Sequence, residues 1–157
     1  VVGCVGGVEG TDDGVEGCEG ARSESAACAQ AAAKHLPVRV AGGSDMARNS
    51  AAEALGDTEN VSLVDVSTGD IWLRDTGPIV GQAGEALRGL TFRFNGWGGK
   101  YVMPGDTETA AAICAQEDIR ADAHDFILEG GAIDLDGAGR LLTTRRCVLT
   151  TGPLSTS

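Results

Sequence analysis

Two carboxylates occupy corresponding places in this chain. Asp75 closes the apolar stretch Ile71-Trp72-Leu73-Arg74 just before Gly77-Pro78, and Glu129 closes Phe126-Ile127-Leu128 just before Gly130-Gly131. The surroundings match as acid, any residue, glycine, small residue, isoleucine, at an offset of 54 positions. Equivalent corners of two repeated units would aim both acids at a common centre, where they could bind a metal, perform acid–base chemistry or hold a cation. No His-x-His pair or acid cluster at ligand spacing accompanies them, which argues against a metal. A glycosidase pair would need one carboxyl in an apolar pocket. Cation recognition suits the pair best: a guanidinium presents donors in a rigid fork that matches carboxylates, and its flat face stacks on an aromatic ring such as Trp72, three residues before Asp75. The competing reading is that a strand-end acid bonds amides of its own turn and does nothing more.

The other reactive side chains point nowhere so specific. Five cysteines, Cys4, Cys18, Cys28, Cys114 and Cys147, include no CxxC pair and leave one over, which fits neither a disulfide framework nor a zinc site and favours a reducing compartment. Cys114 reads as core of an alanine-rich helix and Cys147 as a strand cysteine. His124 directly precedes Asp125, and His35 ends a helix, where a charge–dipole role suffices. Gly96-Trp97-Gly98-Gly99-Lys100 lacks the spacing of a phosphate-binding loop. Asp134-Leu135-Asp136-Gly137 begins like a calcium loop but has no closing glutamate, so it reads as a hairpin turn. Neither a metal nor another cofactor is expected.

The elements that must position these groups alternate. Ala21 to His35 reads as a helix stopped by Pro37, Val38 to Ala41 as a strand, and a second helix runs from a Ser44 or Asp45 cap to Leu55 with Gly56 as terminator. Val61 to Val66 is the next strand. Ile71 to Arg74 reads as extended, and Ile79 to Gly81 pairs with Leu90 to Phe94 across a loop at Gln82 to Gly89. A glycine-rich loop follows at Asn95 to Gly99, then a helix from Asp106 to about Ala121 and a strand at Phe126 to Leu128. Ala132 to Leu135, an Asp136-Gly137 turn and Arg140 to Thr144 complete a second hairpin. Strand-strand-helix-strand units recurring at about 50 residues indicate a radial or stacked architecture, in which each unit needs its neighbours.

Composition narrows the partners. The 157 residues carry 23 acidic and 12 basic side chains, a net charge of −11, and no basic cluster, which speaks against nucleic acid and against anionic membrane surfaces. No apolar run is long enough to span a bilayer, so a cytoplasmic protein is expected. Five of the six aromatic residues, Trp72, Phe92, Phe94, Trp97 and Tyr101, fall in one window around the first acid corner.

Four segments in order, Asp70-Ile71-Trp72-Leu73-Arg74-Asp75-Thr76-Gly77-Pro78, Phe94-Asn95-Gly96-Trp97-Gly98-Gly99-Lys100-Tyr101, Leu128-Glu129-Gly130-Gly131 and Leu141-Leu142-Thr143-Thr144, resemble the motifs of the agmatine deiminases and the related bacterial peptidylarginine deiminases of the guanidine-modifying superfamily. The resemblance implies an α/β fold, a propeller of five ββαβ-type units of which this chain supplies about two. Residues 1–20 would be an irregular acidic, glycine-rich segment and residues 21–157 an incomplete propeller domain. The implied reaction is hydrolysis of agmatine to N-carbamoylputrescine and ammonia, a step of putrescine and polyamine biosynthesis. A cysteine thiolate attacks the guanidinium carbon, a histidine shuttles protons and carboxylates hold the cation. Carried over by motif, Asp75 binds the guanidinium nitrogens, Trp72 walls the pocket, and Glu129 orients the histidine or the substrate. The family's glycine-rich cysteine motif and its Gly-His-x-Asp motif do not occur in these 157 residues, so a chain truncated at both ends and inactive alone is expected. The alternatives are peptidyl-arginine as substrate, or a non-catalytic guanidine-binding module. A partial ring would leave strand edges open, favouring self-association into a homo-oligomer.

Overall fold

The computed structural model describes residues 2–3 and 18–149; most of the stretch read as irregular, and the end of the chain, lie outside the described residues. Two compact units divide the chain, Val1–Leu73 and Arg74–Ser157.

In the first unit, β1 (Val2–Gly3), β2 (Val38–Ala41) and β3 (Val61–Val64) form a parallel sheet in that order. Parallel neighbours need crossovers, and helices α1 (Cys18–Ala33) and α2 (Asp45–Leu55) supply them. Alanine decides how α1 packs: Ala26, Ala29 and Ala33 form one buried stripe, and their small side chains let the helix lie close on Val38 and Val40. Ala51 and Leu55 of α2 close the same cluster. The capping expected from sequence is present. The Ser44 hydroxyl accepts from the Ala47 N–H at 3.1 Å, and Gly56 ends α2 at φ 56°. Helix α1 starts three residues earlier than expected, at Cys18, and ends at Ala33. Its end is tied to the sheet by Asn60, whose side-chain amide donates to the Ala33 carbonyl at 3.1 Å.

The boundary between the units falls within a short helical turn, α3 (Leu73–Thr76). The extended conformation expected for Ile71 to Arg74 is therefore replaced by a turn at its C-terminal end. In the second unit, β4 (Ile79–Ala83) and β5 (Ala86–Arg93) form an antiparallel hairpin whose register runs to Ala83↔Ala86. The loop expected over Gln82 to Gly89 shrinks to Gly84-Glu85, because Gly84 adopts φ 64° and turns the chain in two residues. The glycine-rich segment forms a left-handed turn, α4 (Gly96–Gly99). Helix α5 (Thr109–Gln116) then returns the chain to β6 (Arg120–Ile127), parallel to β5, so the unit has the ββαβ order.

The helix expected to reach Ala121 is half that length. Asp118 takes φ 53°, and the Ile119 N–H bonds back to the Cys114 carbonyl at 2.8 Å, which closes α5. Residues from Arg120 onward instead pair with β5, where Arg88 holds Asp122 in a two-bond ion pair at 2.8 and 2.6 Å. Asp106, expected in the first helical turn, lies buried in the turn before α5. The helix packs tightly on the sheet: a Cβ on Gly89 would collide with the Cys114 sulfur. After Glu129 comes a single 3-10 turn, Gly130–Ala132, then β7 (Ile133–Leu135) and β8 (Leu141–Thr143), an antiparallel hairpin, and helix α6 (Arg145–Leu149). Asp136 organises the connecting turn by accepting from the Ala138 and Arg140 amides at 2.8 and 3.0 Å. Both acid-bearing corners thus have one local build, a helical turn followed by an antiparallel hairpin.

Candidate functional site

The second unit brings its two corners together. Asp75, half-buried in α3, accepts at Oδ1 from the Gly131 N–H at 2.9 Å and at Oδ2 from the Trp97 indole N–H at 3.2 Å. The Arg74 guanidinium donates to the Ile133 carbonyl at 3.2 Å, a second stitch between the same segments. This contact explains the paired glycines after Glu129. A Cβ on Gly130 would collide with the Arg74 carbonyl, and one on Gly131 with Asp75 Oδ1. Asp75 does bond a backbone amide, as the bland reading of a strand-end acid supposes, but the amide belongs to the other corner and not to its own turn.

Glu129 stands immediately before this junction, half-buried. Burial pushes its carboxyl above the ordinary glutamate range, and the negative charge of Asp75 pushes it further in the same direction. The charge of Asp75 thus reaches Glu129. Adding a positive group beside both would relieve the repulsion and favour the ionised Glu129.

Trp97, part of the segment expected as a glycine-rich loop, is the side-chain donor to Asp75. Among the described residues three non-glycines have positive φ: Asn60, Asp118 and Trp97. Asn and Asp tolerate the left-handed region through local hydrogen bonds; a bulky indole does not, at a cost of about 1–2 kcal/mol. Trp97 nevertheless sits at φ 55°, ψ 50°, followed by Gly98 at φ 80°. Asn95 holds the turn, its side chain accepting from the Gly98 N–H and its carbonyl from the Gly99 N–H, at 2.9 and 2.8 Å. The indole then packs edge-on against Phe94 and Tyr101, with centroids 5.0 and 6.2 Å away. A lone tryptophan enclosed by glycines is the signal that could have singled it out.

Trp72, the third residue expected at the site, lies near the end of the first unit and is 54% exposed. Cys147 is in α6 and not in a strand, because Thr144 starts a helix there: the Thr144 Oγ1 accepts from the Cys147 N–H at 3.2 Å and its hydroxyl lies 3.0 Å from the sulfur. Cys114 is on the buried face of α5, as its alanine-rich surroundings predict, and burial pushes its thiol up. His124 lies on β6, stacked on Phe92 at 5.1 Å and 18°. Among the described residues no group of three His, Cys, Asp or Glu side chains is arranged to hold a metal ion, and no helix is long and apolar enough to cross a membrane.

The elements define a mixed α/β protein with a ββαβ unit. The chain belongs to the family of Porphyromonas-type peptidyl-arginine deiminases, whose sequence profile matches residues 9–152. It is 36% identical over 149 residues to an agmatine deiminase of Pseudomonas aeruginosa (strain LESB58), covering 90% of this chain and 40% of that relative. Its fold resembles that of an agmatine deiminase of Enterococcus faecalis, with a TM-score of 0.82 at 27% identity over 97% of this chain and 42% of the other. An agmatine deiminase of C. jejuni solved with substrate bound also matches, with a TM-score of 0.74 at 29% identity over 87% of this chain and 40% of the other. The match spans 40% of the length of the Pseudomonas aeruginosa relative and 26% of that of a relative from Pectobacterium atrosepticum.

Proposed function

We propose that this chain carries the guanidinium-binding part of a deiminase that hydrolyses agmatine to N-carbamoylputrescine and ammonia, as part of putrescine formation. Its residues would form about two units of a five-unit α/β propeller. The observation that carries the reading is the Asp75 carboxylate, held by two donors beside the half-buried Glu129. A fixed Asp75 carboxylate whose negative charge reaches Glu129 suits a cation, and a planar guanidinium offers enough donors to serve both acids. Asp75 then binds the guanidinium nitrogens, and Glu129, whose proton is held more firmly than usual, orients the reacting group or exchanges a proton with it.

The agmatine deiminases among the relatives favour agmatine over peptidyl-arginine. Neither the cysteine motif nor the Gly-His-x-Asp motif lies within these residues, so the chain by itself binds without turning over.

Isothermal calorimetry with agmatine tests this. Micromolar binding that Asp75→Asn abolishes supports the reading, and a folded chain that ignores agmatine refutes it. An ammonia assay runs beside it: any turnover by this chain contradicts binding alone, and turnover that survives Cys147→Ala excludes Cys147 as its nucleophile.

A further inference from the structure

We propose that Trp97 is a positioning residue for the guanidinium site, with its indole N–H and the Gly131 N–H forming a two-donor clamp that fixes the plane of the Asp75 carboxylate. The inference rests on the guanidine-binding reading above and assigns a role that reading does not contain. A carboxylate has about four acceptor positions, two per oxygen. The clamp takes one on each oxygen, Gly131 on Oδ1 at 2.9 Å and Trp97 on Oδ2 at 3.2 Å. One position per oxygen is left, which is the number a guanidinium needs for a parallel two-bond contact. A carboxylate on a free side chain would rotate about its Cβ–Cγ bond and present that edge only part of the time. Held from both sides, it presents one fixed edge, and less ordering remains for the ligand to impose.

The backbone of the loop serves the same end. Trp97 adopts a left-handed conformation unusual for a bulky residue, stabilised by Asn95 and by the flanking glycines, and this conformation aims the indole nitrogen at a carboxylate 22 residues away. Unfavourable backbone geometry that persists because its surroundings over-determine it is found preferentially at functional sites. Phe94 and Tyr101 hold the ring from two edges, so the indole cannot swing away from Asp75 without losing both contacts. On the other side, Gly131 has no room for a Cβ against Asp75 Oδ1, so the second donor is equally restricted.

The experiment uses the two indole N–H groups of the chain, Trp72 and Trp97, as resonances in a nitrogen–proton correlation spectrum, assigned with Trp72→Phe. The Trp97 indole peak is expected to move on Asp75→Asn and again on saturation of the unmutated chain with agmatine. Trp97→Phe keeps an aromatic ring in a smaller form and removes the donor; it is expected to weaken agmatine binding about tenfold while the rest of the spectrum keeps its dispersion. A Trp97 peak indifferent to Asp75→Asn, or a Trp97→Phe chain that binds agmatine as tightly as the unmutated one, overturns the inference and leaves the proposed function standing. An unmutated chain that binds no agmatine overturns the proposed function and this inference with it, and that titration separates the two failures. Should Trp97→Phe fail to fold, the unmutated titration decides alone: a saturated chain whose Trp97 peak has not moved overturns the inference.

Discussion

Replacing Gly131 by alanine tests the junction between the two acid corners with a single methyl group. Gly131 does not lie in the left-handed region, so the substitution adds no backbone strain there and its effect is steric. The new Cβ would stand 3.3 Å from Asp75 Cγ and 3.7 Å from Oδ2, and inside contact with Oδ1. The carboxylate must withdraw, and in doing so it leaves the Gly131 N–H that now bonds it at 2.9 Å. A hydrogen bond to a charged group contributes about 1.5–3 kcal/mol. Forcing a methyl into a packed site costs about 1–3 kcal/mol. The withdrawal that breaks the bond also relieves part of the crowding, so the two do not add fully, and Gly131→Ala is expected to destabilise the second unit by about 3 kcal/mol. Gly81→Ala is the control. Nothing lies within 4 Å of a Cβ there and its φ is ordinary, so a change within about 0.5 kcal/mol is expected. Urea unfolding followed by Trp97 fluorescence in a Trp72→Phe background reads the affected unit. If Gly131→Ala and Gly81→Ala unfold at the same midpoint, the two corners do not pack as described.

Three further outcomes are expected. Ser44→Ala removes the α2 cap that accepts from Ala47 and should cost about 1 kcal/mol, with Ser44→Asp close to neutral, both measurable by urea unfolding of the first unit. Of the three cysteines whose side chains are described, exposed Cys28 and Cys147 should react with an alkylating reagent in the native chain, and buried Cys114 only after unfolding, as mapped by peptide mass spectrometry. Glu129 gives a pH signature. Its carboxyl is raised in the folded state by burial and by Asp75, so folding disfavours its ionised form. The chain should lose stability relative to Glu129→Gln as pH rises from the ordinary glutamate value through the raised one, with the difference constant above that and absent below about pH 4. Agmatine favours the ionised form, so its affinity should rise over the same interval; an affinity flat with pH would remove Glu129 from the site.

Much of the first unit was legible because its signals are short-ranged. The strand at Val38–Ala41, Ser44 capping α2 and Gly56 ending it each depend on residues within one turn. The hairpins were legible for the same reason, although Gly84 tightened one loop to two residues. Local preference misleads where a distant partner overrides it. Helix α5 looked longer because Gln116 to Ala121 suits a helix about as well as a strand; β5 settled the matter, with Arg88 taking Asp122 from 34 residues away.

At the site, the repeat of Asp75 and Glu129 and the aromatic window around the first of them could be read in the order of residues, because repetition and composition are properties of the chain alone. That the Asp75 carboxylate meets an amide 56 residues away and an indole 22 residues away could not. Nor could the left-handed backbone of Trp97, a conformation that residue type argues against. Those contacts exist only once two corners have folded against each other, since a hydrogen bond depends on distances of a few ångströms that neighbours in sequence cannot set.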